Sequence, residues 1–172
     1  MILVIAEQRD GSLHRASWEA IAGAQQIAAA SGAPVVVAVA GAALGPVAAQ
    51  LAAAAVSEVV TVEHDALAAY TADGYTAALQ AAIAELGPTL VALPHTYQAR
   101  DFAPRLAARI DRALITDVTG VKGSGDGLTF VRPMFQGKLA AEVRPLGPAP
   151  HFVTFQVGSY RADAVARGTA PA

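Results

Sequence analysis

Four histidines, His14, His64, His95 and His151, are the side chains of this chain best suited to proton transfer or metal binding. None stands three or four residues from another, as two ligands on one helix face must, so no metal centre is expected. Ser124 lies in Gly123-Ser124-Gly125, but a nucleophilic serine needs a strand–turn–helix elbow, and this one reads as a turn between strands. Asp101 and Asp117 make a carboxylate pair only if the fold joins them. Asp101, directly after Arg100, reads instead as a cap or an ion-pair partner. Gly41-Ala42-Ala43-Leu44-Gly45-Pro46 joins a strand to a helix N-terminus, a geometry able to hold a phosphate, although two glycines there are also ordinary turn chemistry. No G-x-G-x-x-G follows the first strand, where Glu7-Gln8-Arg9-Asp10-Gly11 stands, and no G-x-x-x-x-G-K occurs. The chain has no cysteine, hence no disulfide framework and no thiolate chemistry. No nucleophile, base and orienter come together in this reading, so no catalytic residue is expected. These are the residues of a binding or assembly domain.

The elements that must position them belong to one domain, since the chain has 172 residues. Apolar residues make up 54% of it, which excludes disorder and supplies a core. Alanine alone accounts for 42 positions, and lysine occurs only at Lys122 and Lys138 against ten arginines. The net charge of −2 argues against a nucleic-acid binder. That figure hides a split. Residues 1–94 carry two basic and eight acidic side chains, a charge of −6, and residues 95–172 carry ten basic and six acidic, a charge of +4. The second half therefore offers a positive surface to an anion or an acidic partner. Residues 20–57 hold no charged side chain, but Gly32, Pro34, Gly41, Gly45 and Pro46 cut them below the roughly 20 residues of a membrane-spanning helix. Met1 runs straight into Ile2-Leu3-Val4-Ile5-Ala6 with no basic segment before it, so no signal peptide is read and a cytoplasmic location is expected.

Apolar, mostly β-branched runs at 2–6, 35–39, 59–62 and 90–93 read as parallel strands covered on both faces. Between them lie helices. One is capped by Ser17 and carries Trp18, Ile21 and Ala28; one starts at Pro46 and runs toward Ala55; one is capped by Asp73 and carries Tyr75, Leu79, Ile83 and Leu86. A fourth, about 99–110, buries Phe102, Leu106 and Ile110 and exposes Arg100, Arg105, Arg109 and Arg112, which point in different directions and do not converge on one anion. Strand–helix alternation of this kind gives a βαβ core. From residue 114 the pattern changes to strands at 114–121, 128–135, 139–143 and 152–157. Gly123-Ser124-Gly125-Asp126-Gly127 joins the first two, and Gln136-Gly137 the second and third, so an antiparallel C-terminal extension is expected. Residues 1–160 form the domain; residues 161–172 read as a tail or the start of a linker.

The order of segments resembles one family. Arg100-Asp101-Phe102-Ala103-Pro104-Arg105-Leu106-Ala107-Ala108-Arg109 resembles the G-R-D-x-x-P-R-x-A-A-R stretch of electron-transfer flavoprotein alpha subunits, with Ala99 in place of the glycine. Thr116-Asp117-Val118 resembles that family's T-D-V strand, and 130–138 (Phe130-Val131-Arg132-Pro133-Met134-Phe135-Gln136-Gly137-Lys138) its F-x-R-P-x-Y-A-G-N hairpin, with Gln136 and Lys138 as departures. The opening Val4-Ile5-Ala6-Glu7 and the helix from Tyr70-Thr71 to Ala84 fit as well. The resemblance covers residues 1–160. It implies an α/β fold of the adenine nucleotide alpha hydrolase-like type: a three-layer, parallel-core sheet flanked by helices with the antiparallel extension. It further implies that this chain is the N-terminal domain alone, docking on a beta subunit beneath a second domain that holds FAD, in a carrier moving electrons from dehydrogenases to an acceptor such as a quinone reductase. On that reading no FAD is expected on this chain alone. Arg132, Phe135 and Lys138, on the hairpin and in the positive half, are the candidate subunit interface, and without its partner the exposed apolar surface promotes self-association. The alternative reading is a free-standing adenine-nucleotide-binding protein of the same fold.

Overall fold

A computed structural model of the chain describes residues 1–172, except for the side chain of Asp126, which lies outside the described part. The strands β1 (Ile2–Ala6), β4 (Val35–Gly41), β5 (Glu58–Glu63), β6 (Leu90–Pro94), β7 (Leu114–Val118) and β11 (His151–Phe155) form one sheet in the order β5-β4-β1-β6-β11-β7, every neighbouring pair parallel, while β2 (Gln8–Arg9) and β3 (Ser12–Leu13) make a short antiparallel pair after β1. Both faces are covered, which is why β1, β4 and β6 are buried at every position. Alternate side chains go to opposite layers. Val4 and Ala6 of β1 pack with Ile21, Ala24 and Ile27 of helix α1 (Arg15–Ser31) and with Val47 and Leu51 of α2 (Gly45–Leu51). Leu3 and Ile5 pack with Tyr75, Leu79 and Ile83 of α3 (Ala72–Leu86) and with Phe102 and Leu106 of α4 (Tyr97–Arg109). The fold is thus three-layered α/β.

The helix starts differ in detail from those read in the sequence. His14, not Ser17, caps α1, its Nδ1 accepting from the Ala16 N–H at 3.2 Å. Ser17 is buried one turn in, where its Oγ accepts from the Glu7 N–H at 2.8 Å and donates to the Glu7 carbonyl at 3.0 Å. Thr71, not Asp73, caps α3, and Asp73 pairs with Arg105 at 3.1 Å. Pro46 opens α2 as read, though the helix stops at Leu51.

The C-terminal part corrects the expectation in one respect. Residues 114–121 are two strands. β7 belongs to the parallel sheet; the chain then turns at Asp117 (φ 62°), and β8 (Gly120–Lys122) joins β9 (Thr129–Met134) and β10 (Leu139–Val143) in a separate antiparallel sheet of order β10-β9-β8. β11 then returns to the parallel sheet between β6 and β7. The excursion through the small sheet is long enough to reverse direction, so consecutive strands need not pair antiparallel. The buried Phe152-Val153-Thr154-Phe155 carries the parallel-core signature. The end of the chain is docked, not frayed. Ala55 N–H donates to the Ala166 carbonyl at 2.7 Å and Val59 N–H to that of Pro171 at 2.8 Å, Gln25 clamps Ala166 on both backbone groups, and Val165 is buried.

Candidate functional site

Side chains converge at the carboxyl ends of the parallel strands. Glu7 follows β1 directly and Thr96 follows β6, and those strands are neighbours. The Thr96 hydroxyl donates to Glu7 Oε2 in a short hydrogen bond and also accepts from the Ala99 N–H at 3.1 Å, so one hydroxyl both caps α4 and fixes the carboxylate. Ser17 holds the Glu7 backbone from the other side. The chain runs outward from β1 to β4 and β5 and then crosses back to β6 on the other side of β1, with α1 and α4 on opposite faces, which makes this the switch point of the sheet, where open α/β folds place their ligands. A crevice of about 640 Å³ opens here, with Glu7, Thr96, Tyr70, Tyr75 and Tyr97 among its lining residues. Tyr75 donates to the Ala40 carbonyl at 3.2 Å and Tyr70 to Asp101 at 2.7 Å; burial, then that carboxylate, raises the pKa of Tyr70.

Beyond β6 lies a second cluster that no sequence motif announced. His95 Nδ1 is 2.8 Å from the Thr154 hydroxyl on β11, and its Nε2 is 3.8 Å from Asp117 Oδ1 at the end of β7. This hydroxyl–imidazole–carboxylate line has the cast of a hydrolytic triad without its function. Thr154 is 1% exposed and its oxygen also accepts from the Asp117 N–H, so no substrate reaches it, and 3.8 Å is too long for a hydrogen bond. Burial lowers the His95 pKa; Asp117 opposes that shift, and Arg100 and Arg132 add to it. These residues are far apart in sequence. The signal that points to them is position: each sits at or just past the carboxyl end of a core strand.

Arg132, Phe135 and Lys138 are brought onto one hairpin, β9–β10, but in unlike environments. Arg132, paired with Ala141, is half-buried, and its Nε has no acceptor among the described residues. Phe135 lies in the turn, not in the strand as read, with positive φ (50°) and 70% exposure, next to exposed Lys138. Leu139, 61% exposed, continues this apolar surface along β10, the edge strand of its sheet.

The other residues singled out in the sequence disperse. His14 and His64 accept backbone N–H groups at the starts of α1 and of a short 3₁₀ turn, and His151 opens β11. Ser124 is exposed in its turn. Among the described residues Asp101 neither caps nor forms an ion pair; it accepts from Tyr70, while Asp117 faces His95, so the two carboxylates have different partners. Of the arginines, Arg105 pairs with Asp73, Arg100 lies 5.6 Å from the Tyr97 ring centroid, and Arg112 donates to the Ile110, Asp111 and Ala149 carbonyls. Among the described residues no three His, Cys, Asp or Glu side chains gather as a metal site would need. The turn at 41–46 meets a carboxylate of the chain itself: Ala43 and Leu44 N–H groups lie 2.9 and 3.4 Å from the two Glu63 oxygens. At α3 and α4 the capping threonines take the leading N–H groups, and Glu7 stands beside the α4 start. A dinucleotide pyrophosphate would meet carboxylates at two of these turns, so the residues present do not fit that of FAD.

The model of the electron transfer flavoprotein domain matches residues 2–172. Similar proteins include the electron transfer flavoprotein subunit alpha of Bacillus subtilis (strain 168), 33% identical over 147 residues, covering 86% of this chain and 45% of that protein. That of Thermoanaerobacterium thermosaccharolyticum is 30% identical over 158 residues (91% and 48%), and that of Mycobacterium tuberculosis 31% over 165 (96% and 50%). The chain spans about half the length of the curated relatives it matches. The chain therefore belongs to the electron transfer flavoprotein domain family, and the relatives named here are its alpha subunits.

Proposed function

We propose that this chain is the partner-binding N-terminal domain of an electron-transfer flavoprotein alpha subunit. It supplies the platform on which a beta subunit docks, within a cytoplasmic complex whose FAD carries electrons from dehydrogenases to an acceptor such as a quinone reductase. The observation that carries the reading is the β9–β10 hairpin. A residue with its backbone in the left-handed region and most of its aromatic ring in water costs stability and has no internal use, and it stands in the turn that leads into the edge strand β10. Arg132, with its buried unpaired Nε, and Lys138 give this surface the sign suited to an acidic or carbonyl-rich partner. Strand–helix turns capped by side chains of the chain itself support a reading in which FAD is held elsewhere in the complex. The test is co-purification with a beta subunit. Arg132→Glu and Phe135→Ala should each weaken it while the chain stays folded by circular dichroism; unchanged co-purification of both variants would sink the proposal.

The switch-point crevice favours a second reading, an adenine-nucleotide-binding protein of the same fold. Glu7 and Asp10 in that crevice oppose a phosphate. Micromolar binding of an adenine nucleotide by the purified chain would favour the second reading over the first.

A further inference from the structure

The crevice at the ends of β1 and β6 has a chemistry that the platform role does not use. Glu7 is half-buried, and among the described residues no Lys, Arg or His lies within ion-pair distance of it. A carboxylate partly withdrawn from water without a counter-ion is costly, and a cation arriving beside it gains what the fold leaves unsatisfied. Of the basic residues on the lining, Arg9 is about nine-tenths exposed and pairs with Asp10 at 3.8 Å, and His14 engages the Ala16 N–H through its Nδ1. The Thr96 hydroxyl occupies one Glu7 oxygen and fixes the carboxylate in place.

The walls are aromatic. Tyr70 and Tyr75 meet edge to face with centroids 5.0 Å apart, and Tyr97 forms the outer lip at 88% exposure. The hydroxyls of Tyr70 and Tyr75 are committed to Asp101 and to the Ala40 carbonyl, so their rings are held by hydrogen bonds at the far end. Ring faces attract cations through their quadrupole, and Tyr97 already carries the Arg100 guanidinium over its ring. Tyrosine rings beside a fixed carboxylate, with Asp10 also on the lining, favour a cation over an anion. We propose that this crevice is a binding site for an organic cation, an ammonium or guanidinium head on an apolar stem, with Glu7 as counter-ion and Tyr70, Tyr75 and Tyr97 as walls. The volume of about 640 Å³ accommodates head and stem together.

The test titrates the full chain with propylguanidinium and with propylurea, its neutral isostere, following the tyrosine ring signals by NMR. Propylguanidinium should saturate the Tyr70 and Tyr97 shifts, with propylurea about tenfold weaker or more. Glu7→Gln keeps the Thr96 acceptor and should weaken the cation about tenfold; Tyr97→Ala, at an exposed lip, should weaken it severalfold, and Tyr97→Phe should not. The source of the cation is read by adding a beta subunit. Displacement of propylguanidinium assigns the natural occupant to a side chain of the partner; retention assigns it to a free solute. Equal affinity for the two probes, or no saturation in the wild-type chain, overturns the site. Neither result touches the hairpin, so its failure is separate from failure of the docking proposal.

Discussion

His95 shows how one position ties the two sheets of this protein together. Its ring contacts β11 through Thr154 and β7 through Asp117, and the charge of Arg132 on β9 disfavours its protonation. Burial holds the imidazole below its ordinary value of 6.5, so the neutral form is the one the fold stabilises. The unfolded chain then binds more protons than the folded one as pH drops through that value. Stability is complete above 6.5 and is lost as pH falls from there toward the folded pKa. His151, lowered by burial and by Arg112, acts in the same sense. Thermal denaturation should therefore give a lower Tm at a pH of about 5.5 than at about 7.5. His95→Asn should shrink that difference; an unchanged pH dependence in the variant would remove His95 as its cause. Phe135 illustrates the opposite balance. Its left-handed backbone costs about 1–2 kcal/mol, against which glycine would lose about 0.5–1 in chain entropy, and the exposed ring gives up little packing. Phe135→Gly should leave the isolated chain about 0.5 kcal/mol more stable by urea unfolding while weakening beta-subunit binding. A variant that loses stability as well would mean that the ring packs within the chain.

At the scale of elements, close approach between α1 and β11 rests on Gly23. A Cβ there would meet the Phe155 ring at 3.0 Å, and Phe155 is fully buried and backed edge to face by Tyr160 at 5.0 Å. Alanine gains about 1 kcal/mol of helix propensity over glycine, and overpacking a core costs about 1–3. With the ring blocked behind, Gly23→Ala should lower the Tm against propensity; a rise would show that Phe155 can yield. The glycine was visible in the sequence, but the contact was not, because it depends on β11 lying beneath α1. The same gap explains the other differences. Continuous apolar runs such as 35–39 announced core strands, and Tyr75, Leu79 and Ile83 announced a helix face, because period and burial are local properties. Which of several polar residues caps a helix is decided by a turn of backbone, so Ser17 and Asp73 were read where His14 and Thr71 serve. Strand pairing is not local at all. β7 and β11 are separated by the whole small sheet, and nothing local to either segment shows that they lie side by side. The hairpin was legible because its turn carries its own glycine, whereas Glu7 with Thr96, and His95 with Asp117, required knowing which strand ends are neighbours.

For the whole molecule, the charge split of the chain puts unlike side chains at its two features of interest. The acidic half supplies the switch-point carboxylate and the Glu63 that fills its own strand–helix turn; the basic half supplies the hairpin with Arg132 and Lys138. A dinucleotide would need those two features exchanged, with open N–H groups or cations at a strand–helix turn to neutralise its pyrophosphate. Arg100, Arg105 and Arg112 do not supply them, since they are directed to a tyrosine ring, an aspartate and backbone carbonyls respectively. Attraction by scattered surface cations is screened over a Debye length of about 8 Å at physiological salt, so what remains is weak. The 172-residue chain, purified alone, should therefore be colourless after desalting and should not retain added FAD. On the platform reading, flavin is recovered only when a beta subunit and an FAD-binding alpha-subunit domain are added. The decisive measurement is the visible spectrum of the desalted chain. A flavin band near one equivalent would mean that residues 1–172 build a complete FAD site from backbone groups now held by Glu63 and the capping threonines, and the platform reading would have to be given up.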